Sequence, residues 1–344
     1  MNTRTKYTLM SIIALFIIMP QMTFSQTAIS NAKPKRFFVA KTAFGIYAKN
    51  IKPFKLDAAL NFAATASRGK YQYVPFSALD SIFQLSIQSK DTLTSLTLAN
   101  KLDADFFVFV RVNRLANMLR VDISAIGAKD TNSKKYGVGY AAIRYRKLTD
   151  SEQMTDPALL TATMRAFALA SGDSSLFVVD DSLKVQAVPT LVIGGINYVN
   201  DKQQDLWEIF QNKEISSYDA VINIFDEIKD SPDFAIYDIE TRDSLYALFN
   251  LMIVENYNTS TSTELKNLYK MDVNYFITGL LTRDKKGAIL DLYFCRILEG
   301  GKLAVLDKAT GFVSEDTIIE YKKILRQTVR NLLKKKPWLR PSLN

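Results

Sequence analysis

The chain has 344 residues, 48% hydrophobic and 23% charged, with 44 basic against 35 acidic side chains, an ordinary globular composition with room for roughly two domains. Histidine is absent and Cys295 is the single cysteine, which excludes Ser-His-Asp and Cys-His catalysis, histidine metal sites, zinc ribbons and internal disulfides. No cofactor is expected: Gly194-Gly195 follows an apolar strand but lacks the third glycine of a dinucleotide motif and the Gly-Lys-Ser/Thr of a P-loop, so these glycines read as a bulge or a close packing contact.

In chain order, Arg4 and Lys6 precede an apolar run from Leu9 to Met19, then Pro20 and a polar segment ending Thr23-Phe24-Ser25. Residues 1–25 are expected to be an export signal cleaved after Ser25, because the run is too short for a spanning helix of about 20 apolar residues. No cysteine follows to carry a lipid, and an exported chain with one cysteine suits a bacterial envelope better than a disulfide-built secreted scaffold. The expected location is the periplasm, with association at the outer membrane left open. Cys295, inside Leu290-Asp291-Leu292-Tyr293-Phe294-Cys295, reads as a small buried apolar residue.

The rest of the chain reads as two copies of one module. Leu102-Asp103-Ala104-Asp105-Phe106-Phe107-Val108 resembles Met271-Asp272-Val273-Asn274-Tyr275-Phe276-Ile277, and Val121-Asp122-Ile123 matches Leu290-Asp291-Leu292 at the same separation of 169 residues. Upstream, Tyr71-Gln72-Tyr73-Val74 pairs with Phe234-Ala235-Ile236-Tyr237 at 163, and Phe37-Phe38-Val39-Ala40 with Leu191-Val192-Ile193-Gly194 at 154. The shrinking separation places extra residues early in the second copy, at Gln203 to Ser216 with an exposed-looking Trp207. The expected domains are 33–172 and 187–336, followed by a basic tail at 337–344.

Each copy opens with an apolar strand and an amphipathic helix, then a short strand and a second helix, near Thr92 to Leu102 and again Glu264 to Met271. Thr261 and Glu264 have capping-box spacing. Consecutive strands follow, Asn117 to Gly127 and Tyr136 to Tyr145, then Ala288 to Ile297 and Lys302 to Phe312, and each copy closes with a helix. Asp156-Pro157 is an N-cap followed by proline at the first helical position, and Ser314 is the candidate cap for the last helix. This order predicts an α/β (α+β) class: two tandem mixed-sheet modules with helices packed on them.

The strand–helix–strand–helix order ending in Leu-x-Ala-Asp-aromatic-aromatic-Val resembles the module of the TolB amino-terminal domain and of the curli-secretion protein CsgG. That resemblance implies an anticodon-binding-like fold, once per half, and an envelope setting. The chain departs from it in having no propeller region and no lipid-bearing cysteine.

Asp103, Asp105, Asp272 and Asn274 cluster where a helix passes into a strand, and read as turn chemistry before they read as an acid pair or a cation site. Asp122 and Asp291, flanked by apolar residues, are expected on the solvent side of a half-buried sheet. Tyr237 to Ser244 is expected to start a helix with acids in its first turn. The C-terminus concentrates charge: Lys322, Lys323, Arg326, Arg330, Lys334, Lys335, Lys336 and Arg340 stand against the single acid Glu320 in the last 25 residues. Once Arg4 and Lys6 are set aside, this segment equals the remaining net charge, so the basicity reads as confined to it. Ile318, Leu325, Val329, Leu332 and Leu333 recur at helical spacing, so one face is expected to dock while the other presents cations to an anionic membrane surface or partner, with Trp338 as interfacial anchor.

The resulting expectation is a non-enzymatic envelope protein, a binding or assembly component whose partner is an envelope protein or polysaccharide, with no nucleic acid. The rival readings are a glycan hydrolase working through two carboxylates and an outer-membrane export component.

Overall fold

In a computed structural model, which describes residues 33–89, 93–173, 189–200, 207–251 and 260–339, each half builds one mixed five-stranded sheet. Residues 1–25, the expected linker from 174 on and Arg340 lie outside the described residues. The first sheet comprises β1 (Lys35–Phe44), β2 (Tyr71–Val74), β3 (Phe106–Leu115), β4 (Met118–Gly127) and β5 (Lys134–Ala142), in the order β2-β1-β3-β4-β5. The second comprises β6 (Thr190–Asn200), β7 (Ala235–Ile236), β8 (Tyr275–Arg283), β9 (Ala288–Leu298) and β10 (Lys302–Val313), in the order β7-β6-β8-β9-β10.

The two orders are the same topology. Both opening strands run parallel to their two neighbours, and both sheets continue as antiparallel ladders. Phe37 faces Phe106 as Leu191 faces Tyr275, so the separations of 154 and 169 residues connect equivalent positions across the copies. The opening strands share even their irregularity, a register shift after Val39 and another after Ile193. Gly194 and Gly195 form the second bulge, where a Cβ on Gly194 would stand 2.1 Å from the Phe276 ring. They serve strand geometry, as expected.

The helices of the first module are α1 (Pro53–Ala66), α2 (Phe76–Ser89), α3 (Ser95–Lys101), α4 (Asp150–Thr155) and α5 (Pro157–Ser171). Those of the second are α6 (Glu208–Gln211), α7 (Lys213–Ile228), α8 (Ile239–Leu248), α9 (Ser262–Lys270) and α10 (Ile318–Lys334). Strand alternation decides which side chains they cover. Phe37, Val39, Val108, Val110, Val121 and Ile123 form one core with α1 and α5, while Phe38, Val74 and Phe107 face α2 and α3. In the second module, α7 and α10 cover Ile193, Ile277, Leu290 and Phe294. Helix α2 is an addition to the expected order. It follows Pro75, which has no side-chain oxygen to cap it, whereas its counterpart α8 is capped by Asp238 with Glu240 in the first turn, as expected.

The caps at Asp156 and Thr261 are present: Asp156 accepts from Leu159 N (3.2 Å), and Thr261 and Glu264 form a complete capping box. Ser314 does not cap α10. Thr317 does, and Ser314 instead donates to Glu320 Oε1 (2.7 Å), in the first turn of the helix that Thr317 starts. Trp207 is half-buried against the second core with the Arg283 guanidinium 3.9 Å from its ring centre, rather than exposed.

The two sheets share a third cluster. Met118 and Ala142 of the first module pack with Val192, Tyr237, Leu245 and Phe276 of the second, and Pro34–Asn344 forms one compact unit.

Candidate functional site

The acids at the helix-to-strand turns are built into the fold. Asp103 and Asp272 take φ of 48° and 58°, the left-handed conformation that Asp tolerates better than most residues. Two residues on, Asp105 Oδ2 accepts from Arg36 N (2.8 Å) and Asn274 Oδ1 from Thr190 N (2.8 Å). Each side chain thus pins the start of its module's opening strand to the turn beside it. The backbone repeats the latch, with Asp105 N bonded to Arg36 O and Asn274 N to Thr190 O. Aspartate and asparagine are interchangeable here because the latch needs an acceptor and no charge.

Asp122 and Asp291 occupy equivalent places on β4 and β9 and are held from the neighbouring strand. Tyr136 donates to Asp122 (2.6 Å), with Arg120 closing over it at 2.8 Å; Lys308 pairs with Asp291 at 2.8 Å and Thr310 donates to it at 2.6 Å. Asp122 lies on the face opposite the core residues Val121 and Ile123, as expected, but Arg120 and Tyr136 cover it there to 9% exposure.

Glu264 is fully buried. Besides its capping-box bond, its Oε1 accepts from the Tyr246 hydroxyl, and the Arg242 guanidinium stands 4.8 Å from the centre of the Tyr246 ring. Burial holds the Glu264 carboxyl up to about 7, opposed by Arg242 and by the Thr261 amide. The folded value therefore lies above the unfolded one, and the folded chain keeps a proton that the unfolded chain has lost between about pH 4.5 and 7. Stability from this site is present at low pH and lost as pH rises through that window. Glu264→Gln is expected to raise stability at pH 8 by about 2 to 3 kcal/mol relative to its effect at pH 5, because the amide retains an acceptor and carries no buried charge. Urea melts at the two pH values measure this, and equal shifts at both would show that the carboxyl does not titrate there. Cys295 is 1% exposed, and burial pushes its thiol up to about 12, as befits a core residue.

The C-terminal cations are mostly engaged. Lys322, Arg326 and Arg330 recur every four residues on α10 and meet Asp219, Asn223 and Glu227, which recur every four residues on α7. Lys322 Nζ lies 3.0 Å from Asp219, Arg326 donates to Asn223 Oδ1 at 3.0 Å, and Arg330 is bidentate on Glu227, with Nη2 to Oε2 at 3.0 Å. Lys335 reaches Asp307 at 3.1 Å. These four zip the closing helix to its own module instead of standing free. Trp338 is not an exposed anchor: it is stacked edge-on against Phe234 at 4.6 Å and lies 5.8 Å from Phe294, where an aromatic ring gains more from burial than from the surface. Among the described residues, Lys323, Lys334 and Lys336 are exposed and make no ion pair.

Between the modules, the turn joining β3 and β4 inserts Asn117 against the start of α8. Asn117 is 4% exposed. Its backbone N donates to Thr241 Oγ1 (3.0 Å), its Nδ2 donates to Ile236 O (2.7 Å) and Ile143 O (3.1 Å), and its Oδ1 accepts from Asp238 N (3.1 Å) and Thr241 Oγ1 (2.9 Å). Tyr145 donates to Asp238 across the same boundary, and Arg165 pairs with Asp272 at 3.4 Å. A shallow cleft beside this seam is lined by Arg144, Asp156, Pro157, Arg165, Thr190 and Ala235, among others; Asp156 is its one lining carboxylate and is spent as the α5 cap.

No protein-family model matches the chain. No curated protein matches it either. Among solved structures, it is similar to the LpoB C-terminal domain from Salmonella enterica (8% identity, TM-score 0.27, covering 37% of this chain and 84% of that one). It is also similar to a PelC dodecamer from Paraburkholderia phytofirmans (11%, TM-score 0.26, 39% and 91%) and to the lipoprotein GNA1162 from Neisseria meningitidis (11%, TM-score 0.25, 35% and 90%). Each likeness spans little more than a third of this chain.

Proposed function

We propose that the protein is a non-catalytic component of the bacterial envelope, exported to the periplasm, where its two joined modules bind or assemble with an envelope protein or polysaccharide. The observation that supports this reading is the use made of its carboxylates. Asp105 is a backbone latch, Asp122 and Asp291 sit in cross-strand pairs, and Asp238 and Asp156 are helix caps. A two-carboxylate hydrolase needs two acids facing each other across one cleft at about 5 to 10 Å, and the seam cleft offers one.

We place the partner contact on the outer side of α10 and the turn that follows it, where Lys323 and Lys334 on the helix and Lys336 just beyond its end are exposed. Attraction between exposed charges is screened within about 10 Å at 0.1 M salt, so such a contact must weaken as salt rises. The test passes an envelope extract over the exported protein and over K323E/K334E/K336E at low and at raised salt. Loss of the salt-sensitive partners from the variant is expected. Equal recovery by both proteins at low salt would remove α10 from the reading, and isolation of the native protein from cytosol would remove the compartment.

A further inference from the structure

The net charge between the signal segment and the C-terminal helix is close to zero, but it is unevenly spread. From Lys33 to Lys55 there are seven basic residues and no acidic one. The connection from β1 to α1 lies at the end of that run and combines charge with exposed apolar side chains. Ile46 is 76% exposed, Tyr47 74% and Phe54 55%, and among them stand the exposed Lys49 and Lys52 and the half-buried Lys55, which form no ion pair among the described residues.

The start of α1 breaks a local rule. Lys52 occupies the cap position without a side-chain bond, Lys55 lies in the first turn, and that turn carries no acid. Cations at the positive end of a helix are mildly unfavourable, a cost that an anion bound beside them offsets. The second copy shows that the fold does not require this. Its equivalent connection turns Ile209 and Phe210 inward at 1% exposure and places Glu208 and Glu214 in the first turns of α6 and α7, so that Lys213 and the exposed Ile215 at the start of α7 have an acid beside them. One scaffold therefore buries two apolar residues and sets acids at the helix starts in one module, and in the other exposes Ile46 and Tyr47 among lysines with no acid in the first turn.

We infer that the β1–α1 connection is a membrane-surface contact: Ile46, Tyr47 and Phe54 enter the headgroup boundary of an anionic phospholipid bilayer, and Lys49, Lys52 and Lys55 meet its phosphates. Apolar tips interleaved with lysines suit a surface that yields around them, and a tyrosine is stable with its ring in the boundary and its hydroxyl in water. A protein partner would need a matching pocket for each tip. This contact is independent of the one assigned to α10.

The test is flotation of residues 26–344, which include the whole compact unit Pro34–Asn344, with phosphatidylglycerol-containing vesicles and with phosphatidylcholine vesicles at about 0.1 M salt. The protein is expected to float with the former and not the latter. I46S/Y47S/F54S and, separately, K49E/K52E are each expected to weaken binding by about tenfold or more, with unchanged thermal melts because all the altered side chains are exposed. K323E/K334E/K336E is expected to float like the parent. Absence of flotation with the anionic vesicles overturns the inference, as does undiminished flotation of either connection variant. Retention on immobilised polyglutamate without flotation would assign the surface to an acidic protein instead. If K323E/K334E/K336E alone fails to float, the lipid contact belongs to α10.

Discussion

Gly139→Val is expected to unfold the first module at temperatures where the parent is stable, with a loss of about 3 kcal/mol or more. Helix α5 carries Ala158, Ala162, Ala166 and Ala170 at every fourth position, all buried, so it presents nearly bare backbone to β5. The strand answers with Gly137 and Gly139. A Cβ on Gly139 would stand 1.9 Å from Ala162 O and 2.6 Å from Ala166 N, and one on Gly137 2.0 Å from Ala166 O. These are backbone atoms of a helix interior and cannot swing aside, so the helix must lift from the sheet and expose the core beneath it. The second copy supplies the control. Gly311 is paired with Leu290 as Gly139 is with Val121, but its Cβ would meet the side chains of Thr328 and Ile324 at 2.3 and 2.6 Å. Alanine at 311 is therefore expected to cost less than alanine at 139. Guanidinium melts of the two alanine variants decide it, and the reverse order would mean that close approach of α5 does not hold the first module together.

The duplication was legible because strands of the two copies keep similar side chains at fixed separations, and because Asp156-Pro157 and Thr261-to-Glu264 are local signals whose partners lie within one turn. The residues misread depend on distant partners. Trp207 and Trp338 find Arg283 and Phe234 across the fold, and no local pattern announces that. The cations of α10 looked free because Asp219, Asn223 and Glu227 lie 103 residues upstream, although the matched four-residue spacing on the two helices was visible. Gly137-x-Gly139 and the alanines of α5 were a second legible signal, one that only has meaning when strand and helix are read as a pair. The acids at the helix-to-strand turns were correctly read as turn chemistry, but their bonds to Arg36 and Thr190 required the parallel register of β1 with β3 and of β6 with β8.

Asn117→Ala is expected to destabilise the whole unit by about 3 to 5 kcal/mol, since it strips the side-chain partner from Ile236 O, Ile143 O and Asp238 N and each orphaned buried group costs about 1 to 3 kcal/mol. Asn117 follows Ala116, whose φ of 44° is a conformation alanine adopts only where surrounding contacts enforce it; the seam supplies those contacts. Comparison of the copies shows why the seam forms once. At equivalent positions the second module's turn has Lys285 and Lys286 in place of Ala116 and Asn117, both exposed, and the first module has Pro75 and Ala78 in place of the receiving Asp238 and Thr241. Neither outer end can repeat the contact: two lysines cannot be buried without partners, and Pro75 and Ala78 offer no side-chain hydrogen bond. The docking is thus head-to-tail and limited to two copies. Asn117→Lys, which writes the second copy's residue into the first, is expected to cost more than alanine and to separate the modules. Chemical denaturation followed through Trp207 and Trp338 in the second module, together with proteolysis near residues 174–188, reads out both effects. A loss below about 1 kcal/mol for Asn117→Ala, or unchanged proteolysis in Asn117→Lys, would mean that the shared apolar cluster alone joins the modules.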